Sequence, residues 1–193
     1  MLTEQHGQTL IHLVRQTLEE YLEIPPTYSV NPERLTDPAL QENRAVFVTL
    51  NKRGQLRGCI GSLVATESIV DGVRRHAVNA AFHDHRFSPV TPDEIPELKV
   101  DISVLTEPQP LEYTNSDDLI NKMRPQIDGI LLKHSSGAGA TFLPQVWEQL
   151  PNPQLFLTHL CRKAGLAENA WEKGDLEIKT YQVLHFIQNP RHS

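Results

Sequence analysis

This 193-residue sequence predicts an α+β fold, a mainly antiparallel sheet with flanking helices. Three observations carry that expectation. Helical and strand-like patterns mix along the chain without the regular βαβ alternation of a doubly wound sheet. The turn-forming Asn51-Lys52-Arg53-Gly54 separates two strand-like runs, an explicit hairpin. Leu98, Val100, Ile102 and Val104 alternate with Lys99, Asp101 and Ser103, as in a half-buried antiparallel strand.

The elements follow in order. Leu10, Ile11, Val14, Leu18, Tyr21 and Leu22 recur at helical spacing and define one apolar stripe, which Pro25-Pro26 ends. A connector through Pro32 and Pro38 has room for one short helix. Ala45 to Leu50 is β-branched and aromatic, the composition of a strand covered on both faces, and Gln55 to Leu63 pairs back on it. Ile69, Val70, Val73, Ala77, Ala80 and Ala81 form the buried stripe of a helix from about Glu67 to His83, with Thr66 as its cap. Thr91-Pro92 has the form of a cap followed by proline in the first turn. A short helix after Asn115-Ser116, a strand near Ile127 to Lys133 and a turn at Gly137 and Gly139 come next. Phe142-Leu143-Pro144 leads into a helix that contains Trp147. Asn152-Pro153 opens the last helix, Gly165 closes it, and Ile178 to Phe186 reads as a single final strand.

Composition narrows the function. A net charge of -6 supplies no basic stripe for phosphates, which disfavours nucleic acid and anionic membrane surfaces. The first residues lack the basic and apolar regions of a secretory signal, and apolar runs stop far short of a membrane span. Two cysteines, about a hundred positions apart, fit a reducing compartment, so a cytoplasmic protein without a Cys59–Cys161 disulfide is expected.

Candidate chemistry gathers on Arg57-Gly58-Cys59-Ile60-Gly61. In an extended strand Arg57 and Cys59 share a face, and a guanidinium beside a thiol favours the reactive thiolate. Gly58 and Gly61 leave that stretch thinly covered, as at a ligand or a bulge. The alternative is that Cys59 is a small buried hydrophobe. The cluster His83-Asp84-His85-Arg86-Phe87 follows the central helix. Its histidines are candidate general bases for Cys59, and Arg86 is a candidate anion ligand. Equally, cations at a helix C-terminus serve the dipole and Phe87 fills the core. His83 and His85 come without a third ligand at metal spacing, so no metal site is expected. Gly137-Ala138-Gly139-Ala140-Thr141 lacks the lysine of a phosphate-binding loop. Cys161 falls on a helix and reads as core packing.

Together these segments resemble the AMMECR domain family, protein A of the AmmeMemoRadiSam system. The resemblance lies in Leu56-Arg57-Gly58-Cys59-Ile60-Gly61; in Asp84, Arg86, Phe87 and Pro89; in Val104-Leu105-Thr106; in Ala140 to Val146; and in Lys163-Ala164-Gly165-Leu166 with Trp171. It implies that residues 1–193 form a single AMMECR-like domain, α+β, of two closely packed lobes with the shared motifs near a cleft between them. It also implies association, by gene neighbourhood or fusion, with a Memo-like protein and a radical S-adenosylmethionine protein. It supplies neither a reaction nor a cofactor. Ala138 and Gly139 stand where relatives often carry basic residues, which weakens an anion-binding role for that loop.

The candidates are therefore Cys59, His83 and His85 for catalysis, and Arg57, Gly58, Gly61, Asp84, Arg86, Thr141 and Phe142 for substrate binding. Arg57, Cys59, Asp84 and Arg86 are expected on one concave surface, with Asp84 paired to an arginine and Thr141 or Phe142 in the wall. Two functions compete: an enzyme that uses Cys59 on an anionic small molecule or modified protein group, and a non-catalytic ligand- or protein-binding module.

Overall fold

Thr3 starts the first helix, α1 (Glu4–Tyr21), through a reciprocal cap: its hydroxyl accepts from the His6 N–H, and its own N–H donates to His6 Nδ1. Leu10, Ile11, Val14 and Leu18 are buried as their spacing requires. Tyr21 departs from that stripe, half-exposed and stacked on Phe82 at 4.3 Å between ring centres. Arg15, also on α1, is buried, and donates to the carbonyls of Ile95 and Leu98 and to Gln188.

The computed structural model describes residues 1–189. They fall into two compact units, one of residues 1–105 with 184–189, the other of Thr106–Val183. The first holds α1, the short helices α2 (Pro32–Leu35) and α3 (Pro38–Gln41), β1 (Val46–Lys52), β2 (Gln55–Gly61), α4 (Ile69–Phe82), a 3-10 turn at Pro92–Glu97 and β3 (Leu98–Leu105). The connector thus carries two short helices, each opened by Asn or Asp and proline, rather than one. Ser68, not Thr66, caps α4, and its hydroxyl accepts from the Asp71 N–H at 3.1 Å.

The second unit holds β4 (Gln109–Pro110), α5 (Ser116–Lys122), β5 (Gly129–His134), β6 (Gly139–Phe142), α6 (Pro153–Lys163) and β7 (Leu176–Tyr181). The helix expected around Trp147 is a 3-10 segment, Pro144–Glu148. The final strand is two strands, because Gln182 breaks the run: β7 belongs to the second unit's sheet and β8 (Val183–Ile187) to the first. At that break the Thr106 N–H donates to the Gln182 carbonyl and the Gln182 N–H to Thr106 Oγ1, both at 2.8 Å.

The fold is α+β, with two antiparallel four-stranded sheets ordered β2-β1-β3-β8 and β4-β7-β5-β6. Each unit has its own core. In the first, Val46, Val48 and Leu50 of β1 and the even-numbered residues of β3 meet α1 and α4. Phe47 and Thr49 on the other face of β1 are half-buried, so this strand is fully covered on one side only. In the second, Trp147 stacks on Phe156 at 3.9 Å among Leu119, Ile130, Leu132 and Leu160. Among the described residues no helix is long and apolar enough to cross a membrane.

Candidate functional site

Arg53 and Gly54 form the hairpin turn, both with positive φ, at 51° and 78°, the geometry of a tight turn matched to strand twist. From that turn Lys52 pairs with Gln55 and Asn51 with Leu56, but Leu50 pairs with Gly58. Arg57 is therefore the extra residue of a β-bulge. Beyond it Gly58 lies opposite Leu50 on the core side, and Cys59 opposite Thr49 on the outer face. The thiol is half-buried, with Thr49 Oγ1 at 3.2 Å from its sulfur.

The space beside the two glycines is filled from within. A Cβ on Gly58 would sit 2.0 Å from the Ala80 carbonyl oxygen, and one on Gly61 2.3 Å from the Phe47 ring. The glycines let α4 and Phe47 close on the strand at these two positions. The strict alternation that put Arg57 and Cys59 on one face is interrupted by the bulge.

β2 is an edge strand, and the backbone N–H and C=O of Cys59 point away from β1. Asp84 and Arg86 fill those valences. The Cys59 N–H donates to Asp84 Oδ2 at 2.9 Å, and Arg86 donates to the Cys59 carbonyl at 3.2 Å. Arg86 also grips Asp84 through Nε at 3.0 Å and a terminal nitrogen at 2.7 Å. The Asp84 side chain is 4% exposed and that of Arg86 57%. Hydrogen bonds from Arg86 first, then from the Cys59 and Arg86 N–H groups, outweigh burial and hold the Asp84 carboxyl well below the usual carboxylate range. The carboxylate stays charged, so this arrangement persists at any pH near neutrality.

Arg57 is fixed in a neighbouring network. It donates to both oxygens of Glu94, at 3.0 and 2.9 Å, and to the carbonyls of Ser88 and Pro89. Its side chain is 13% exposed. Lys52 adds a bond to Glu94 at 2.9 Å, and the Thr91 N–H another at 3.0 Å. Arg57 above all, with these donors, holds the Glu94 carboxyl far below its ordinary value. Sequence reasoning missed Glu94. Its signal was present in Thr91-Pro92-Asp93-Glu94, where the acid three residues after the cap accepts from the cap N–H.

The structure thus brings Arg57, Cys59, Asp84 and Arg86 to one strand-and-loop junction. His83 and His85 are exposed on the same loop, with His83 Nδ1 3.3 Å from Asn79 Oδ1. Neither is a hydrogen-bond partner of the thiol among the described residues. Thr141 and Phe142 belong to the second unit. There Thr141 Oγ1 donates to the Ile130 carbonyl and lies 2.8 Å from the Tyr181 hydroxyl, which donates to the Phe142 carbonyl at 3.1 Å. Lys163 bonds the Thr141 carbonyl and sits 5.1 Å above the Phe142 ring.

Sequence reasoning also missed the polar residues that share the outer face with Cys59. Thr49 lies opposite both Cys59 and Asp101, and on β8 His185 Nδ1 is 3.2 Å from Ser103 Oγ and 3.6 Å from Asp101 Oδ1. Cys59 and His185 occupy opposite edges of the sheet, three strand spacings or about 14 Å apart, so His185 is no base for this thiol. Among the described residues no group of three His, Cys, Asp or Glu side chains is placed to hold a metal ion, and both cysteines are free thiols.

Fold and site define an α+β protein of two four-stranded antiparallel sheets, with a bulged cysteine strand closed at its edge by an Asp–Arg pair. Residues 11–186 match the AMMECR1 family. A protein of Thermofilum pendens is 34% identical over 97% of this chain and 92% of its own length. Protein MK0488 of Methanopyrus kandleri is 35% identical over 96% and 89%. The crystal structure of the uncharacterised protein PH0010 from Pyrococcus horikoshii superposes with a TM-score of 0.73 at 30% identity, over 97% of this chain and 94% of that one. This chain belongs to the AMMECR1 family.

Proposed function

We propose that the chain is a non-catalytic binding module that works with a Memo-like protein and a radical S-adenosylmethionine protein. One observation carries this reading: the motif's charged groups are spent on the fold. Asp84 and Arg86 satisfy the strand edge at Cys59, and Arg57 is clamped by Glu94 and two carbonyls. The thiol's hydrogen-bond partner among the described residues is the neutral Thr49 hydroxyl, not a base. The groups left facing solvent on the loop are His83, His85 and the outer part of Arg86. Presented on a loop pinned by buried hydrogen bonds, they form a rigid recognition surface for an anionic ligand or protein group.

Sedimentation of the purified chain with the Memo-like and radical S-adenosylmethionine proteins of the same genome tests this. Complex formation should survive Cys59→Ser and weaken about ten-fold on Arg86→Ala. Loss of a partner-dependent chemical product in Cys59→Ser, with the complex intact, would instead establish the thiol as an enzyme's nucleophile.

A further inference from the structure

The first unit's sheet has two edges, and they differ. At β2 the outward N–H and C=O of Cys59 are occupied by Asp84 and Arg86, a device that blocks a further strand. At β8 the register leaves the outward groups open. The Gln188 N–H donates to the Val100 carbonyl at 2.8 Å, and His185 sits beside Ser103. Counting back from Gln188, Phe186 and Leu184 turn their backbone groups towards β3, while His185 and Ile187 turn theirs outward. β8 ends the strand order, so no strand among the described residues meets those groups.

A groove of about 310 Å³ runs between this edge and the first turns of α1. Leu2, Ile11, Leu184 and Phe186 give it an apolar lining, and Gly7 lets Phe186 lie against the helix, since a Cβ there would be 2.2 Å from its ring. Leu184 and Ile187 are exposed, at 38% and 48%. Glu4 places a carboxylate at the rim, and it is in no ion pair among the described residues.

We propose that this edge and groove take an extended segment of a partner protein, added to β8 as a further antiparallel or parallel strand. The open backbone groups of His185 and Ile187 hydrogen-bond the segment's main chain. Alternate apolar side chains of the segment enter the groove, and a lysine or arginine of the segment meets Glu4. The surface is separate from the Cys59 junction, so it stands whether or not the thiol is catalytic.

A random peptide library displayed on phage and panned against the intact 193-residue chain supplies the probe, and enriched peptides are synthesised and titrated by calorimetry. Peptides with alternating apolar residues and a basic residue should be enriched. Ile187→Pro removes an outward N–H at an edge position that tolerates proline, and should weaken them about ten-fold or more. Glu4→Gln should weaken them less, in a salt-dependent way, and Cys59→Ser should leave binding unchanged. In the unaltered protein, hydrogen exchange of the His185 and Ile187 amides should slow on peptide binding, a readout independent of how Ile187→Pro folds. The proposal is overturned if no such peptide is enriched, if those amides exchange unchanged, or if a well-folded Ile187→Pro binds equally. A dimer in the free protein that Ile187→Pro dissociates would overturn it in favour of a second copy of this chain.

Discussion

His76 shows how a single side chain can set a pH limit on the fold. It lies on the buried face of α4 at 2% exposure, with Nε2 3.4 Å from an Arg75 nitrogen and Nδ1 buried without a hydrogen-bond partner. Burial first, then Arg75, lowers its pKa against a smaller opposing effect from Glu67. The folded state therefore resists a proton that the unfolded chain accepts at about pH 6.5. Stability is full above that value and falls as pH drops below it. His76→Leu should flatten the dependence of the urea midpoint between about pH 7 and 5 relative to the unaltered chain. An unchanged slope would assign that acid sensitivity to other groups. The same sign rule applied to Asp84 places its loss of stability at far lower pH, because its carboxyl is held well below the ordinary range.

At the scale of the element, the bulge at Arg57 decides which way Cys59 points. A two-residue turn at Arg53-Gly54 carried on without interruption would set Cys59 opposite Val48, whose side chain is in the core. The extra residue sets it opposite Thr49 on the outer face, and brings Gly58 under α4. Gly58→Ala should therefore cost about 3 kcal/mol, since its Cβ would meet a helix carbonyl that can retreat only if α4 moves. Urea denaturation followed by circular dichroism checks this, and a change below about half a kcal/mol would mean that α4 yields freely. The sequence made the hairpin, α4, β3 and the caps at Asn115 and Asn152 legible, because turn residues, capping side chains and apolar periodicity act locally. It did not make the bulge legible, since a bulge is fixed by what packs on the strand. Glu94 on Arg57 and Asp84 on the Cys59 N–H were hidden for the same reason, at 37 and 25 positions' separation. The split of β7 from β8 at Gln182 was masked by a continuous β-forming composition.

On the scale of the whole molecule, the second unit is an insertion between two strands of the first. The chain leaves the first sheet after β3 at Leu105 and returns at Leu184 to form β8, which is β3's neighbour. The insertion's ends are thus held together, and Thr106 and Gln182 tie them by two reciprocal hydrogen bonds. Within it, β5, β6 and β7 and the helices α5 and α6 enclose a core around Trp147, Phe156 and Trp171. Both tryptophans of the chain lie there, so indole fluorescence reports this unit alone. A segment with its own core and adjacent ends meets the conditions for independent folding. The fragment of residues 106–183, expressed alone, should show blue-shifted emission and a single cooperative urea transition, because Trp147 is fully buried and donates to the Asp128 carbonyl at 2.7 Å. Phe156→Ala should shift that transition by about 3 to 5 kcal/mol, since it removes the ring stacked on Trp147. Solvent-exposed emission from the fragment, with no transition, would mean that this core forms only within the intact chain.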